Sequence, residues 1–227
     1  MRRPPVRHIS RADTHRLIPS KHLPRGDSVF TRIADDDEHL AAIFELDDAT
    51  NERLLAERGQ ATGIGPEELL AAVPNASVVN AAFCHPHPLG SRFNGPERGA
   101  WYAAYELETA QAEVAFHKGV ELAEVGWFEE SVTYDDYLAD FNAEFHDLRD
   151  ARGFRPCLSG ESYEASQSLA AALMEQGSLG IVYPSVRRTN GTCLVCFRPA
   201  LVGHVRRAHR WRFTWRAGSP LTIRRER

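Results

Sequence analysis

Apolar residues recur along this chain with two different periods, and the switches between them mark out its elements. Short runs rich in β-branched and aromatic residues predict strands at 29–33, about 100–105, 131–141, 179–183, 193–198 and 210–215. Wider apolar spacing predicts four helices. The first spans 37–58, with Leu40, Ile43, Phe44, Leu54 and Leu55 as its apolar face, Asp35 to Glu38 as an acidic start and Gly59 as its stop. A short one starts at Gly65-Pro66 and reaches about Ala72. A third covers about 109–118, from Thr109 to a stop at Gly119, and a fourth 162–176, capped by Ser162 and stopped by Gly177.

The segments between are read from their turn residues. Residues 1–28, rich in Arg, His and Pro, predict an extended arm with little regular structure. Residues 75–89 predict a loop, with a strand at Ser77–Phe83, and residues 90–99 a Gly-rich turn. Residues 146–161 read as irregular. Strands mixed with helices and no regular βαβ alternation predict an α+β fold in a single mixed domain.

Length and composition fit that picture. The 227 residues are enough to bury a sizeable core, and 43% hydrophobic with 26% charged is ordinary for a soluble globular chain. No run approaches the ~20 apolar residues of a membrane helix. The start, MRRPPVRHIS, has no apolar stretch behind it, so a cytoplasmic protein is expected.

Charge changes the picture more. Residues 1–25 hold seven Lys/Arg and one Asp, and residues 204–227 eight Arg and one Glu. The net charge of −4 therefore hides two basic ends on a body of net −17. Ends that fold against the acidic body, or are simply solvated, explain this pattern better than nucleic-acid contact, since no nucleic-acid-binding motif accompanies the charge. In the tail, Trp211, Phe213 and Trp215 alternate with Arg210, Arg212 and Arg216. That could be a stacking surface for single strands, but it is also the pattern of an amphipathic strand, which is the preferred reading.

The cysteines at 84, 157, 193 and 196 are expected to be free thiols. Cys193 and Cys196 have C-x-x-C spacing, but on a strand they point to opposite sides. Cys84, His85 and His87 stand too close in sequence to converge easily on a metal, and none is expected.

Candidate chemistry concentrates between Gly90 and His117. Arg92 in its Gly-bounded turn suits phosphate, or simply braces the turn. Tyr102 in an apolar strand reads as core or as a ligand platform. Glu113 has Thr109, Ala110, Phe116 and His117 as helical neighbours, and a carboxylate on so apolar a face needs a partner or a task. Ser185, in Tyr-Pro-Ser-Val-Arg, lacks the G-x-S-x-G elbow and reads as a hydrogen-bonding serine at a strand end.

Taken together, these motifs resemble the RES-domain family, toxins of bacterial toxin–antitoxin pairs. In order they are G-S-R-F-N at 90–94, W-Y-A-A at 101–104, A-E-V-A-F-H at 112–117, Y-P-S-V-R at 183–187 and G-T-C-L-V-C-F-R-P at 191–199. V-F-T-R-I at 29–33 resembles the family's early Y-R-I segment, with Phe30 where Tyr is common, and Ser91 stands where Gly is frequent. The resemblance spans about 29–215 and divides the chain into a basic arm (1–28), a RES domain (29–216, with a helical insertion at about 37–73) and a basic tail (217–227).

The resemblance implies a fold related to the ADP-ribosyltransferase toxins and cleavage of the nicotinamide–ribose bond of NAD⁺, by hydrolysis or phosphorolysis. It implies Glu113 at the ribose, Arg92 and Arg32 at the pyrophosphate, Tyr102 on the nicotinamide and Ser185 fixing ribose or carboxamide. His117 would orient water or phosphate, or be structural. No metal or separate cofactor is implied; NAD⁺ is substrate, with inorganic phosphate as an optional co-substrate. The implied partner is an antitoxin with a helix-turn-helix DNA-binding domain, which would make any DNA contact; self-association and no membrane contact are also implied. Mono-ADP-ribosylation of a protein and a non-enzymatic nucleic-acid-binding module are the alternatives.

Overall fold

A computed structural model describes residues 3–22, 63–150 and 152–226. Among the described residues seven strands form a mixed α+β domain: β1 (Val6–Pro19), β2 (Trp101–Ala104), β3 (Glu130–Asp147), β4 (Gly180–Pro184), β5 (Thr192–Cys196), β6 (Gly203–Trp215) and β7 (Thr222–Arg225). Three helices accompany them among those residues: α1 (Ala76–Cys84), α2 (Leu107–Glu124) and α3 (Glu164–Glu175). No helix among the described residues is long and apolar enough to cross a membrane.

The strand order is β1-β2-β5-β4-β3-β6-β7, with β1 also pairing β3. The 18-residue β3 organises the sheet. Along one edge it pairs with β1 over Tyr134 to His146. Its other edge is shared, first by β6 from Glu130 to Asp140 and then by β4 at His146 and Asp147. The short strands β2, β5 and β4 therefore meet the long ones only at narrow seams, His15 opposite Ala104 and His146 opposite Ile181.

Alternation along the short strands feeds two cores. Trp101, Ala103, Val182, Leu194 and Cys196 face one, with Val79 and Phe83 of α1 and Phe141 and Phe145 of β3. Ala104, Ile181, Tyr183, Cys193 and Val195 face the other, with Leu169 and Leu173 of α3 and Phe213 of β6. Cys193 and Cys196 thus lie in different cores, as their odd spacing predicts. Trp211 and Trp215 pack with Phe213 on that second core, so the tail alternation is an amphipathic strand.

The expected irregular arm over 1–28 does not hold: residues 6–19 form β1. Its sequence conceals this because little of it is apolar. Cross-strand polar pairs sustain it instead, including Arg7 with Asp147, His8 with Asn142 and His15 with Asp136. Asp13, at φ 56°, takes up a register shift between Arg11 and Thr14. The basic ends do fold against acids of the body. Arg207 and Arg210 both reach the fully buried Asp135 of β3, and Arg206 reaches Asp140.

Other expectations shift. The strand expected at Ser77–Phe83 is helix α1, because Val79 and Phe83, one turn apart, bury together, and Asn80 bonds both the N–H and C=O of Leu70. The helix expected from Gly65 to Ala72 is only a 3-10 turn, Pro66–Glu68. Gly119 does not stop α2, which continues to Glu124 and buries Leu122. Residues 152–158 form a 3-10 segment, and the basic tail adds β7. The strand at 29–33, the helix at 37–58 and Arg32 lie outside the described residues.

Candidate active site

The second core opens toward α2, and there the separated motifs meet. Glu113, half-buried on α2, accepts a 2.6 Å hydrogen bond from Ser185 Oγ at the end of β4. Ser185 Oγ also accepts the backbone N–H groups of Arg187 at 3.1 Å and Arg188 at 3.0 Å. Those two donors occupy the hydroxyl's acceptor side, so its proton points at the carboxylate. The Cys193 thiol approaches the same Oε1 at 3.7 Å from β5. Burial and the adjacent carboxylate push that thiol's pKa well above the ordinary range, so it stays a neutral donor.

The loop carrying Ser185 is fastened to the start of α2. Ser185 N–H bonds Gly191 O at 2.9 Å, which closes the loop. Glu106, the residue before α2, accepts from Thr109 Oγ1 at 2.6 Å and from the Thr192 N–H at 3.1 Å. Arg188 donates to Thr109 Oγ1 at 3.2 Å. Gly191 passes so close that a Cβ there would lie 2.6 Å from Thr109 Oγ1. Thr109 is therefore a joint between helix and loop inside the first turn of α2, and the helix starts two residues earlier than its sequence predicts.

Arg92 is 6% exposed. It donates to the carbonyls of Ser159 at 2.7 Å and Cys157 at 3.3 Å, and its guanidinium stands 4.7 Å over the Tyr163 ring. Gly90 starts this turn at φ +69°, where a Cβ would meet Asn94 O at 2.3 Å. Tyr102 anchors the turn from β2: its hydroxyl donates to Asn94 Oδ1 at 2.8 Å and accepts the Phe93 N–H at 2.9 Å. Burial raises the pKa of that hydroxyl, so it remains protonated.

His117, one turn after Glu113, is exposed on α2. Its pKa is lowered, first by the protein packed around it and then by Arg187 and Arg92, while Glu113 opposes the shift. Phe116 beside it carries the Arg187 guanidinium 3.3 Å from its ring centroid.

The structure thus brings Glu113 and Ser185 into contact, and ties Arg92 to Tyr102 through the 90–94 turn. Arg187, Arg188, Glu106, Thr109 and Cys193 belong to the same surroundings, and sequence reasoning did not assign them. The signal for the two arginines was present in Y-P-S-V-R-R but reads as ordinary flanking charge. On β1, Arg16 donates to the Tyr102 carbonyl at 3.1 Å and lies 4.8 Å over the Trp101 ring. Burial lowers its pKa to about 10. Among the described residues no group of three or more His, Cys, Asp or Glu side chains could hold a metal ion.

Comparison with protein families matches the RES domain over residues 69–216. The chain belongs to the RES-domain family. That span includes Arg92, Tyr102, Glu113 and Ser185, and all of the RES strands from β2 to β6. Among solved structures, the RES chain is similar to one in the crystal structure of the M. tuberculosis MbcT–MbcA toxin–antitoxin complex. The identity is 14% and the TM-score 0.47, covering 89% of this chain and 85% of that one. No curated protein sequence matches it.

Proposed function

We propose that this RES protein is the toxin of a bacterial toxin–antitoxin pair and depletes NAD⁺ by breaking its nicotinamide–ribose bond. The observation that carries the reading is the Ser185–Glu113 contact, which joins two RES motifs at one half-buried carboxylate. Cleavage breaks the C1″–N bond heterolytically, and the electron pair leaves with nicotinamide as a neutral molecule. Positive charge develops on the ribose C1″ and ring oxygen. The carboxylate of Glu113, held in place by Ser185 and Cys193, is positioned to stabilise it.

Water then adds to C1″ and releases a proton, giving ADP-ribose. Inorganic phosphate adding instead gives ADP-ribose 1″-phosphate. Arg92 is assigned to the pyrophosphate. Its near-complete burial is offset by carbonyls and an aromatic face, and no carboxylate pairs with it among the described residues. Tyr102, its ring fixed through the hydroxyl, is assigned to the nicotinamide side. The proposed partner is a helix-turn-helix antitoxin whose binding blocks this cleft and which makes any DNA contact.

The test is nicotinamide release from NAD⁺ by the purified full chain. Release that disappears in Glu113→Gln, with the melting temperature kept, supports the reading. A folded wild-type protein that leaves NAD⁺ intact overturns it.

A further inference from the structure

The segment 157–160 receives two arginines that are 95 residues apart in the chain. Arg92 Nη1 donates to the carbonyls of Cys157 and Ser159, and Arg187 Nη2 donates to the next carbonyl, that of Gly160, at 3.1 Å. The carbonyls of Ser159 and Gly160, adjacent in the chain, thus each accept from one of the two guanidinium groups. Gly160 lets Arg187 come close: a Cβ there would stand 3.1 Å from its Nη1.

Two like charges so near each other repel unless an anion lies between them. Among the described residues, neither Arg92 nor Arg187 has an ion pair with a carboxylate. Their partners are carbonyls and the aromatic faces of Tyr163 and Phe116, which orient a guanidinium without neutralising it. Arg187 Nε is buried and has no hydrogen-bond partner. A buried N–H without a partner is costly, which suits a donor reserved for a ligand. Two other arginine pairs of the fold do share a carboxylate. Arg98 and Arg198 share Glu68, and Arg207 and Arg210 share Asp135.

Both guanidinium charges lower the pKa of His117, which stands one turn after Glu113 on α2. Forked guanidinium groups match paired phosphoryl oxygens, and two of them together suit the greater charge and oxygen count of a diphosphate.

We propose that Arg187 is a second substrate-holding arginine, forming with Arg92 a two-pronged clamp for a diphosphate group. It rests on the NAD⁺ reading for the identity of the substrate, but the clamp itself is testable without that reaction. The Ser185 loop then has two tasks. Its backbone orients the hydroxyl toward Glu113, and the Arg187 side chain fixes the diphosphate at a set distance from the reacting ribose.

The experiment is calorimetric titration of the full chain with inorganic pyrophosphate, and with inorganic phosphate alongside. The clamp predicts that wild type binds pyrophosphate more tightly than phosphate. It predicts that Arg187→Gln and Arg92→Gln each weaken pyrophosphate binding by about tenfold or more, the effect of losing one charge-assisted contact. Arg187→Lys, which keeps charge but loses the fork, should recover part of the loss. A wild type that does not bind pyrophosphate overturns the clamp. So does an Arg187→Gln protein that binds like wild type, or one whose melting temperature falls while affinity is kept, since Arg187 would then only pin the loop. Pyrophosphate binding without NAD⁺ cleavage would overturn the NAD⁺ reading and leave the clamp; cleavage with unchanged binding in Arg187→Gln would do the reverse.

Discussion

Ser185 and Glu113, 72 residues apart, share a 2.6 Å hydrogen bond in which the serine's acceptor side is already filled by two backbone N–H groups. The serine is therefore an orienting donor to the carboxylate.

Replacing Ser185 by Ala tests this. The change removes the donor to Glu113 and the acceptor for two N–H groups. We expect NAD⁺ cleavage to fall by about tenfold to a hundredfold through loss of carboxylate placement, with a stability cost of about 1–2 kcal/mol. Nicotinamide release and denaturant unfolding measure the two effects. Ser185→Ala at wild-type activity would remove the orienting role.

His117 offers a readout that needs no substrate. Arg187 lowers its pKa and Glu113 raises it. Arg187→Gln should therefore shift the imidazole titration upward and Glu113→Gln should shift it downward, followed by NMR of the ring protons. Because wild-type His117 titrates below its ordinary value, it is mainly neutral at pH 7, and activity that needs the neutral ring falls as pH drops through that titration. Shifts of the same sign in both variants would contradict the arrangement.

Gly191→Ala should damage the site from behind. The new Cβ would meet Thr109 Oγ1 at 2.6 Å and Thr109 Cγ2 at 2.9 Å. The loop must then move off α2, at a cost of about 1–3 kcal/mol. Thermal unfolding and nicotinamide release should both decline, and unchanged values in both would mean that the loop is not fastened at Thr109.

Glu68 carries an acid-stability prediction remote from the chemistry. Hydrogen bonds from Arg98, its charge and a hydrogen bond from Arg198 lower the Glu68 pKa to about 2, against the opposing effect of burial. A carboxylate depressed in the folded state stabilises fully above its unfolded value, near 4.5, and that contribution fades as pH falls toward 2. Glu68→Gln should flatten the stability–pH curve between those limits. It should also destabilise at neutral pH by about 1–3 kcal/mol, because Arg98 loses its counter-charge. Unfolding curves at several pH values decide it.

Where side chains have one favourable environment, local sequence determined the outcome. The alternation of Cys193, Leu194, Val195 and Cys196 fixed a strand with two buried faces, and the Trp211, Phe213, Trp215 pattern fixed an amphipathic one. The helix at 164–175 needed only its apolar spacing and the stop at Gly177, which takes φ +80°. The ordered motifs around Arg92, Tyr102, Glu113 and Ser185 were equally legible and led to the RES family. The tertiary structure decided the rest, because the determining partner was distant. β1 is too polar to announce itself and exists through its pairing with β3. The Val78-Val79 pair favours a strand locally, yet burial of Val79 with Phe83 makes a helix. Gly119 is passed over because Leu122, beyond it, gains a buried place. In the site, sequence supplied Arg92, Tyr102, Glu113 and Ser185. Only folding showed that Ser185 serves Glu113, and that Arg187 and Arg92 lean on neighbouring carbonyls, since hydrogen-bond partners 27 to 72 residues apart leave no periodic trace along the chain.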